Sequence, residues 1–67
     1  MTTYAQWVTN VEGIAAQVEE AANANQAASH FDYDDRISAG GAGAVPLTVR
    51  IEAQPGHAAT LTTLPPT

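Results

Sequence analysis

The feature that most limits what this chain can fold into is its shortage of bulky apolar side chains. Twelve of the 67 residues are Leu, Ile, Val or Phe, which is below the fifth or so found in most globular cores. Burying one such side chain contributes roughly 1.5 to 3 kcal/mol, whereas ordering the chain costs roughly 1.5 kcal/mol per residue. We therefore expect no independent globular core, and we expect a neighbouring surface to complete the fold.

The absence of cysteine narrows the ways in which so small a core can be strengthened. Without thiols the chain has neither disulfides nor thiolate metal ligands. Chains of this length usually depend on disulfides, a metal or association. Association is the remaining route, so we expect the partner to be a second copy of the chain or a larger structural protein.

The charge balance excludes two classes of partner. The net charge is −5, with two arginines and no lysine. Nucleic-acid binding requires a positive footprint, and anionic membranes attract basic segments. The chain also has no apolar run long enough to span a bilayer and no signal-like start. We expect a soluble protein that binds neither nucleic acid nor membrane.

The N-terminal segment has the pattern of an amphipathic helix over about residues 3–29. Thr3 and Gln6 fit a capping box. Apolar positions then recur every three or four residues, with a repeat of seven over about three heptads. Two interpretations stay open, an amphipathic helix packed on any core and a self-associating coiled-coil seam. The face comprises Tyr4, Trp7, Val11, Ile14, Val18, Ala21, Asn25 and Ala28, flanked by Val8, Ala15 and Ala22.

The second half of the chain predicts a linker and an extended arm. Residues 30–46 are acidic and then rich in Gly and Ala, which is typical of a linker. Residues 47–54 alternate apolar and polar, which predicts a half-buried strand. Pro55-Gly56 is typical of a type II turn, after which the chain, up to Leu64, returns as a β-hairpin or pairs with a neighbour's sheet. Pro65 and Pro66 then end the pairing.

Asp32 and Asp34 begin like a calcium-binding loop, but the rest of that pattern fails. Arg36 stands at the third ligand position, Ile37 replaces the glycine at the sixth, and Gly43 replaces the closing glutamate. We therefore expect a solvated acidic loop with no metal.

The remaining chemistry-bearing residues are too scattered to form a catalytic site. His30 and His57 lie in different segments without a third nitrogen or thiolate ligand, which argues against zinc. Ser29 precedes His30, but neighbouring helical residues point apart. The glycine-rich run 40–43 lacks the Lys-Ser/Thr ending of a phosphate loop. We expect no enzyme activity, no catalytic residue and no cofactor.

The overall layout resembles small accessory structural proteins of tailed-phage virions. The layout consists of a capped short helix, a Gly-Ala linker, the alternating strand LTVRIEAQ and a Thr-Pro-rich tail. The lysine-free composition, rich in Ala, Thr and Gly, is similar to that of proteins from actinobacteria and their phages. The resemblance implies a virion location, a capsid decoration, minor capsid or tail-associated role, and a capsid or tail subunit as the larger partner.

The leading hypothesis is a structural protein of a symmetric assembly, which docks by its helix face and adds a strand to its neighbours. The alternative is a cytoplasmic helical adaptor or secretion-associated protein that inserts its Trp7 face into a partner's groove. The residues expected at the interface are Tyr4, Trp7, Val8, Val11, Ile14, Val18, Leu47, Val49, Ile51, Leu61 and Leu64.

Overall fold

A computed structural model describes residues 2–38 and 43–64, which form one helix and a three-stranded antiparallel sheet. The sheet order is β1-β2-β3, so β2 is the central strand. The predicted α+β class is confirmed. Most of the glycine-rich run and both prolines of the predicted stop lie outside the described residues. The elements are α1 (Tyr4–Asn25), β1 (Ser29–Ser38), β2 (Ala44–Ala53) and β3 (Thr60–Leu64).

The predicted start of the helix is confirmed, although only half of the capping box is present. The Thr3 hydroxyl accepts a hydrogen bond from the Gln6 amide at 3.1 Å, which satisfies one of the free N–H groups of the first turn. The Gln6 side chain does not complete the box, because it donates to the Asn10 side chain at 3.1 Å. Gln6 therefore strengthens the helix surface instead of the cap.

The helix ends four residues earlier than predicted. Gln26 adopts a left-handed conformation with φ 52°, and its backbone N–H donates to the carbonyl of Ala22. A residue in this conformation ends a helix in the way that glycine often does. Ser29, which was predicted to be helical, is already the first residue of β1.

The buried face of α1 is the middle of the predicted apolar face, whose two ends are exposed. Tyr4, at the start of the predicted seam, is exposed, and so is Asn25 near its end. A straight α-helix turns about 20° per heptad away from a seven-residue repeat, so the ends of such a seam swing outwards. The sequence of α1 is not apolar enough over any stretch to cross a membrane. The buried residues are Trp7, Val11, Val18 and Ala22.

The prediction of a linker over residues 30–46 is wrong, because most of this segment is strand. β1 pairs antiparallel with β2 over its whole length, from Ser29 opposite Ala53 to Ser38 opposite Ala44. Its acidic residues suggested a loop, but a strand with one solvated face alternates polar and apolar residues. Phe31, Tyr33 and Ile37 share one face, and this period of two is the signal that predicts a strand here.

β2 confirms the strand predicted from the alternating sequence. Val49 and Ile51 are buried, whereas Arg50 between them is exposed. The strand begins at Ala44, earlier than predicted, and so contains Pro46. Proline is tolerated there because β3 extends only as far as the position opposite Thr48.

β2 and β3 form a hairpin, which is one of the two arrangements that the sequence left open. The amide of His57 donates to the carbonyl of Gln54 at 3.1 Å, and Gly56 has φ 77°, as a type II turn requires after Pro55. The connection runs from Gln54 to Ala59, so the twist mismatch of a two-residue type II hairpin does not arise.

One small core lies between α1 and the sheet. Five of its seven buried members are larger than alanine. The indole N–H of Trp7 has no acceptor among the described residues. The predicted helix face and strand face therefore meet within one chain, and dependence on a neighbour for stability stays a prediction. The buried residues are Trp7, Val11, Val18, Ala22, Val49, Ile51 and Ala53.

Candidate protein interaction surface

The residues predicted to meet a partner divide between the core and the surface. Five of them are buried in the contact between α1 and β2, which corrects the expectation that they face a neighbour. Four are half-buried and two are exposed, and these six form the surface that a partner can reach. The buried five are Trp7, Val11, Val18, Val49 and Ile51; the half-buried four are Val8, Ile14, Leu47 and Leu64; the exposed two are Tyr4 and Leu61.

The position of α1 on the sheet decides which apolar side chains stay exposed. The helix packs on β1 and β2. Near its start, the Asn10 side chain donates to the Tyr33 hydroxyl of β1 at 3.0 Å. Near its end, the Glu19 carboxylate accepts from the Ala59 amide, beyond β2, at 2.7 Å. The helix therefore crosses the sheet obliquely, and it leaves two corners of its own side uncovered.

A single row of paired residues shows both corners. Phe31 of β1 lies opposite Ile51 of β2, and Ile51 lies opposite Leu61 of β3. Ile51 is 0% exposed beneath the helix, whereas Phe31 and Leu61 are 51% and 54% exposed. The row is apolar across the sheet, but the helix covers only its centre.

The corner at Phe31, which we call the β1 corner, is a shallow groove between the helix and the first strand. On the helix side it is lined by Ile14, Gln17 and Ala21, which share one helix face at spacings of three and four. The groove is mainly apolar and open to solvent.

The corner at Leu61, which we call the β3 corner, is the uncovered part of the third strand. Leu61 and Thr63 point to the helix side because they lie opposite the buried Ile51 and Val49. Both are exposed. Val8 and Ala15 lie in the helix row that also contains Glu19, and this row faces the β2–β3 connection. The β1 corner thus joins helix and strand residues, whereas the exposed side chains of the β3 corner come from the strand.

Among residues 2–38 and 43–64, the four large apolar side chains that are exposed lie on the helix side of the molecule. Tyr4 is 61% exposed and stacks on Trp7, with ring centroids 5.9 Å apart. Val45 points the same way as Val49 because strand residues two apart share a face. The exposed set is Tyr4, Phe31, Val45 and Leu61.

The opposite face of the sheet is polar. The Nε group of Arg50 donates to Asp32, directly across the β1–β2 ladder, at 3.0 Å. This hydrogen bond lowers the pKa of Asp32 and raises the pKa of Arg50. Thr48 donates to Asp34 at 3.1 Å in the next row. Two cross-strand pairs on this face are thus hydrogen-bonded, and Leu64, opposite Thr48, adds a half-buried apolar side chain to it.

Asp35 points to the helix side and accepts three hydrogen bonds, two from β1 and one from Thr2. The Tyr33 hydroxyl donates to it at 2.6 Å, the Thr2 hydroxyl at 2.9 Å and the Arg36 amide at 2.7 Å. The bond from Tyr33 is the main cause that lowers the pKa of Asp35, and it raises the pKa of Tyr33. The three aspartates of the predicted acidic loop are therefore strand residues on two different faces, each with a hydrogen-bond partner.

The structure brings together two histidines that the sequence places in separate segments. His30 lies opposite Glu52, and His57 lines the same cleft at the end of the sheet. Within residues 2–38 and 43–64, no group of three His, Asp or Glu side chains is placed to hold a metal ion. The cleft is missed by sequence reasoning because it depends on the β1–β2 register.

Phe31 and Val45 are the surface residues that sequence reasoning missed. Both fall in the segment predicted to be a linker, although the alternation of Phe31, Tyr33 and Ile37 was a usable signal.

Comparisons of the chain with protein-family models, with curated proteins and with solved structures found no match.

Proposed function

We propose that this chain is a structural subunit of a symmetric assembly, which associates through the apolar corners beside its helix. The observation that carries the proposal is the exposure of Tyr4, Phe31, Val45 and Leu61 on one side of the molecule. Scattered apolar side chains are normal on a protein surface, whereas clusters of them on one side are typical of interfaces.

The size of the molecule supports this reading. A standard protein–protein interface covers about 800 Å² of each partner. The whole chain exposes 4477 Å², so one such interface takes almost a fifth of its surface. The two corners lie on opposite sides of α1 and offer two separate contact sites per chain, which is what a closed ring or a shell requires.

The charge distribution agrees with a protein partner. Arg50 is paired with Asp32, and the net charge is −5. Such a surface offers no footprint for phosphate groups. A capsid decoration, minor capsid or tail-associated role in a virion is the setting that we propose, and it depends on composition and layout alone. We propose no enzymatic role.

The alternative, an adaptor that inserts Trp7 into a partner's groove, requires a larger conformational change than association through the corners does. Trp7 is 8% exposed in the contact between α1 and the sheet. Its insertion into a partner's groove requires α1 to leave the sheet and thereby to open the core. An adaptor that uses the exposed Tyr4 instead needs no such opening.

Sedimentation equilibrium of the isolated chain over a wide concentration range tests the proposal. We expect a mass above the 6.9 kDa monomer that rises with concentration. The double variant Phe31→Ser/Leu61→Ser should shift this equilibrium towards monomer, because each change removes an exposed apolar group from a corner.

The matched control is Ala16→Ser, which changes an exposed residue on the helix surface away from the sheet. It should sediment as the unchanged chain does. A monodisperse, cooperatively melting monomer at every concentration would count against an assembly role.

A further inference from the structure

We propose that β3 pairs with β3 of a second copy across a two-fold axis, so that two sheets join into one of six strands. The proposal rests on the proposed assembly function and names one of its interfaces. It follows from a contrast between the two outer edges of the sheet.

The outer edge of β1 is already partly occupied and is charged. Thr2 forms a parallel bridge there, with its amide bonded to the Arg36 carbonyl and its carbonyl bonded to the Ser38 amide. The rest of the edge carries Asp32 and Asp34. Two copies of β1 paired about Asp32 place like charges opposite each other, which destabilises a sheet.

The outer edge of β3 differs in both respects, because it is uncharged and no described segment occupies it. Its sequence, Thr60 to Leu64, contains no charged residue. Among the described residues no strand lies beyond it. An uncharged edge strand that is rich in β-branched residues is a template for another strand. In a chain with a net charge of −5, this is the strand along which two copies approach without repulsion.

The hydrogen-bond pattern determines which groups of β3 are free. Thr2 bonds to Arg36 and Ser38, so the even-numbered residues of β1 point outwards and the odd-numbered ones bond to β2. The alternation continues across the sheet. Thr62 therefore bonds to Arg50 of β2, while the N–H and C=O groups of Leu61 and Thr63 point outwards.

These free groups specify a register. Leu61 pairs with Thr63 of the second copy, and the two-fold axis repeats the pair, which gives four hydrogen bonds between the chains. Thr62 then lies on the axis, opposite Thr62 of the second copy, in a pair without hydrogen bonds.

The register also places the apolar side chains. Directly opposite residues of an antiparallel pair point to the same face, so both helices lie on one side of the joined sheet. Leu61 and Thr63 of both copies then form the floor of a trough between the two helices. The two β3 corners, which are separate in single chains, then adjoin at the centre of the dimer.

Disulfide trapping tests the register directly, because the chain contains no cysteine. Thr62→Cys places two thiols in a non-hydrogen-bonded pair, where the Cα separation of about 4.5 Å suits a disulfide. Mild oxidation should give a covalent dimer in high yield. The matched control is Thr60→Cys, for which the two thiols lie about 14 Å apart in the same register and should not cross-link.

A second variant tests the backbone bonds. Thr63→Pro removes an outward N–H while keeping the N–H groups that bond to β2, so two of the four interchain hydrogen bonds are lost. The dimer affinity should fall about tenfold or more. Asp34→Pro makes the same change on the outer edge of β1 and should leave the affinity unchanged, with circular dichroism confirming that both variants fold.

The outcomes separate the two proposals. If the chain self-associates but Thr62→Cys cross-links no better than Thr60→Cys, β3 pairing is overturned while the assembly function stands on other surfaces. If Thr63→Pro is folded and dimerises as the parent does, β3 pairing is again overturned. If the chain is monomeric at every concentration, both proposals fail.

Discussion

The two ends of α1 are attached to the sheet in different ways. The N-terminal half buries the large Trp7, and it is joined to β1 by the Asn10–Tyr33 hydrogen bond and by the bridge from Thr2. The C-terminal half buries the smaller Val18 and Ala22 and is joined to the β2–β3 connection by side chains of the helix.

The attachments at the C-terminal end are made to a loop. Glu19 accepts from the Ala59 amide at 2.7 Å, and the Asn23 side chain accepts from the Gly56 amide at 2.8 Å. Regions with few apolar contacts and with bonds to loops are the first to open in a native protein. We therefore expect the N-terminal half to fix the helix on the sheet and the C-terminal half, which holds the hairpin loop, to open more easily.

Replacing Trp7 with alanine should have the largest effect, because it removes the main anchor of the N-terminal half. We expect a loss of about 3 to 5 kcal/mol in the free energy of unfolding, enough to unfold a chain of this size. Urea titration followed by circular dichroism measures it. Trp7→Phe should lose much less, because it also removes an indole N–H that has no acceptor among the described residues.

Tyr4→Ala is the control, since Tyr4 stacks on Trp7 from the solvent side. It should shift the urea midpoint only slightly. If Trp7→Ala unfolds no more readily than Tyr4→Ala, the N-terminal half is not the anchor.

Glu19→Ala should weaken the C-terminal attachment by about 1 kcal/mol, since it leaves the Ala59 amide without its acceptor. Hydrogen exchange should become faster at Ala59, while the amides that pair β1 with β2 keep their rates. Glu20→Ala, on the exposed helix surface, is the matched control. Equal acceleration of hydrogen exchange at Ala59 and at the β1–β2 amides would show that the molecule opens as one unit.

Gln26→Gly should stabilise the C-terminal end of the helix by about 0.5 kcal/mol. Gln26 has φ 52°, a conformation that glycine adopts with less strain. The gain is limited because the variant loses the hydrogen bond from the Gln26 side chain to the Asn23 carbonyl. A rise of a few degrees in Tm is expected, and a fall in Tm would contradict the proposed strain.

Acidification should give the smallest effect, and it should act at the N-terminal end. Hydrogen bonds from Tyr33 and then Thr2 lower the pKa of Asp35 in the folded chain. Its stabilising contribution is therefore complete above the ordinary carboxyl pKa of 3.8 and is lost as pH falls through the lowered value. Solvent around the site keeps this contribution modest.

Tyr33→Phe sharpens the test, because it removes the main cause of the shift. An NMR titration of the Asp35 carboxyl should show its pKa move up towards 3.8 in this variant. The unchanged chain should also lose stability at high pH, because the pKa of Tyr33 is raised and its neutral form is favoured in the fold. A pKa of Asp35 that is the same in both proteins would exclude Tyr33 as the cause.

Local rules predicted the parts of this fold that are set by neighbouring residues. The Thr3 cap, the strand around Val49 and Ile51 and the turn at Pro55-Gly56 all follow from such rules. β1 was missed because its aspartates resemble a loop by composition, although Phe31, Tyr33 and Ile37 recur with the period of a strand that has one solvent-exposed face.

The candidate surface was harder to predict, because exposure depends on where the helix crosses the sheet. The sequence selects Val11 and Leu61 alike as apolar face residues, yet one is buried and the other is exposed. Only the oblique crossing of α1 separates them. The side-chain bonds that fix the crossing, such as Glu19 to Ala59, join residues far apart in the chain and leave no local pattern.

The order of the elements has a consequence for synthesis. α1 is made before any strand on which it packs, and Ile51 follows Trp7 by most of the length of the chain. At a translation rate of about 5–20 residues per second, the apolar stripe of a new helix waits a few seconds for its own sheet. Until β2 is made, the apolar face of α1 has no sheet of its own chain on which to pack.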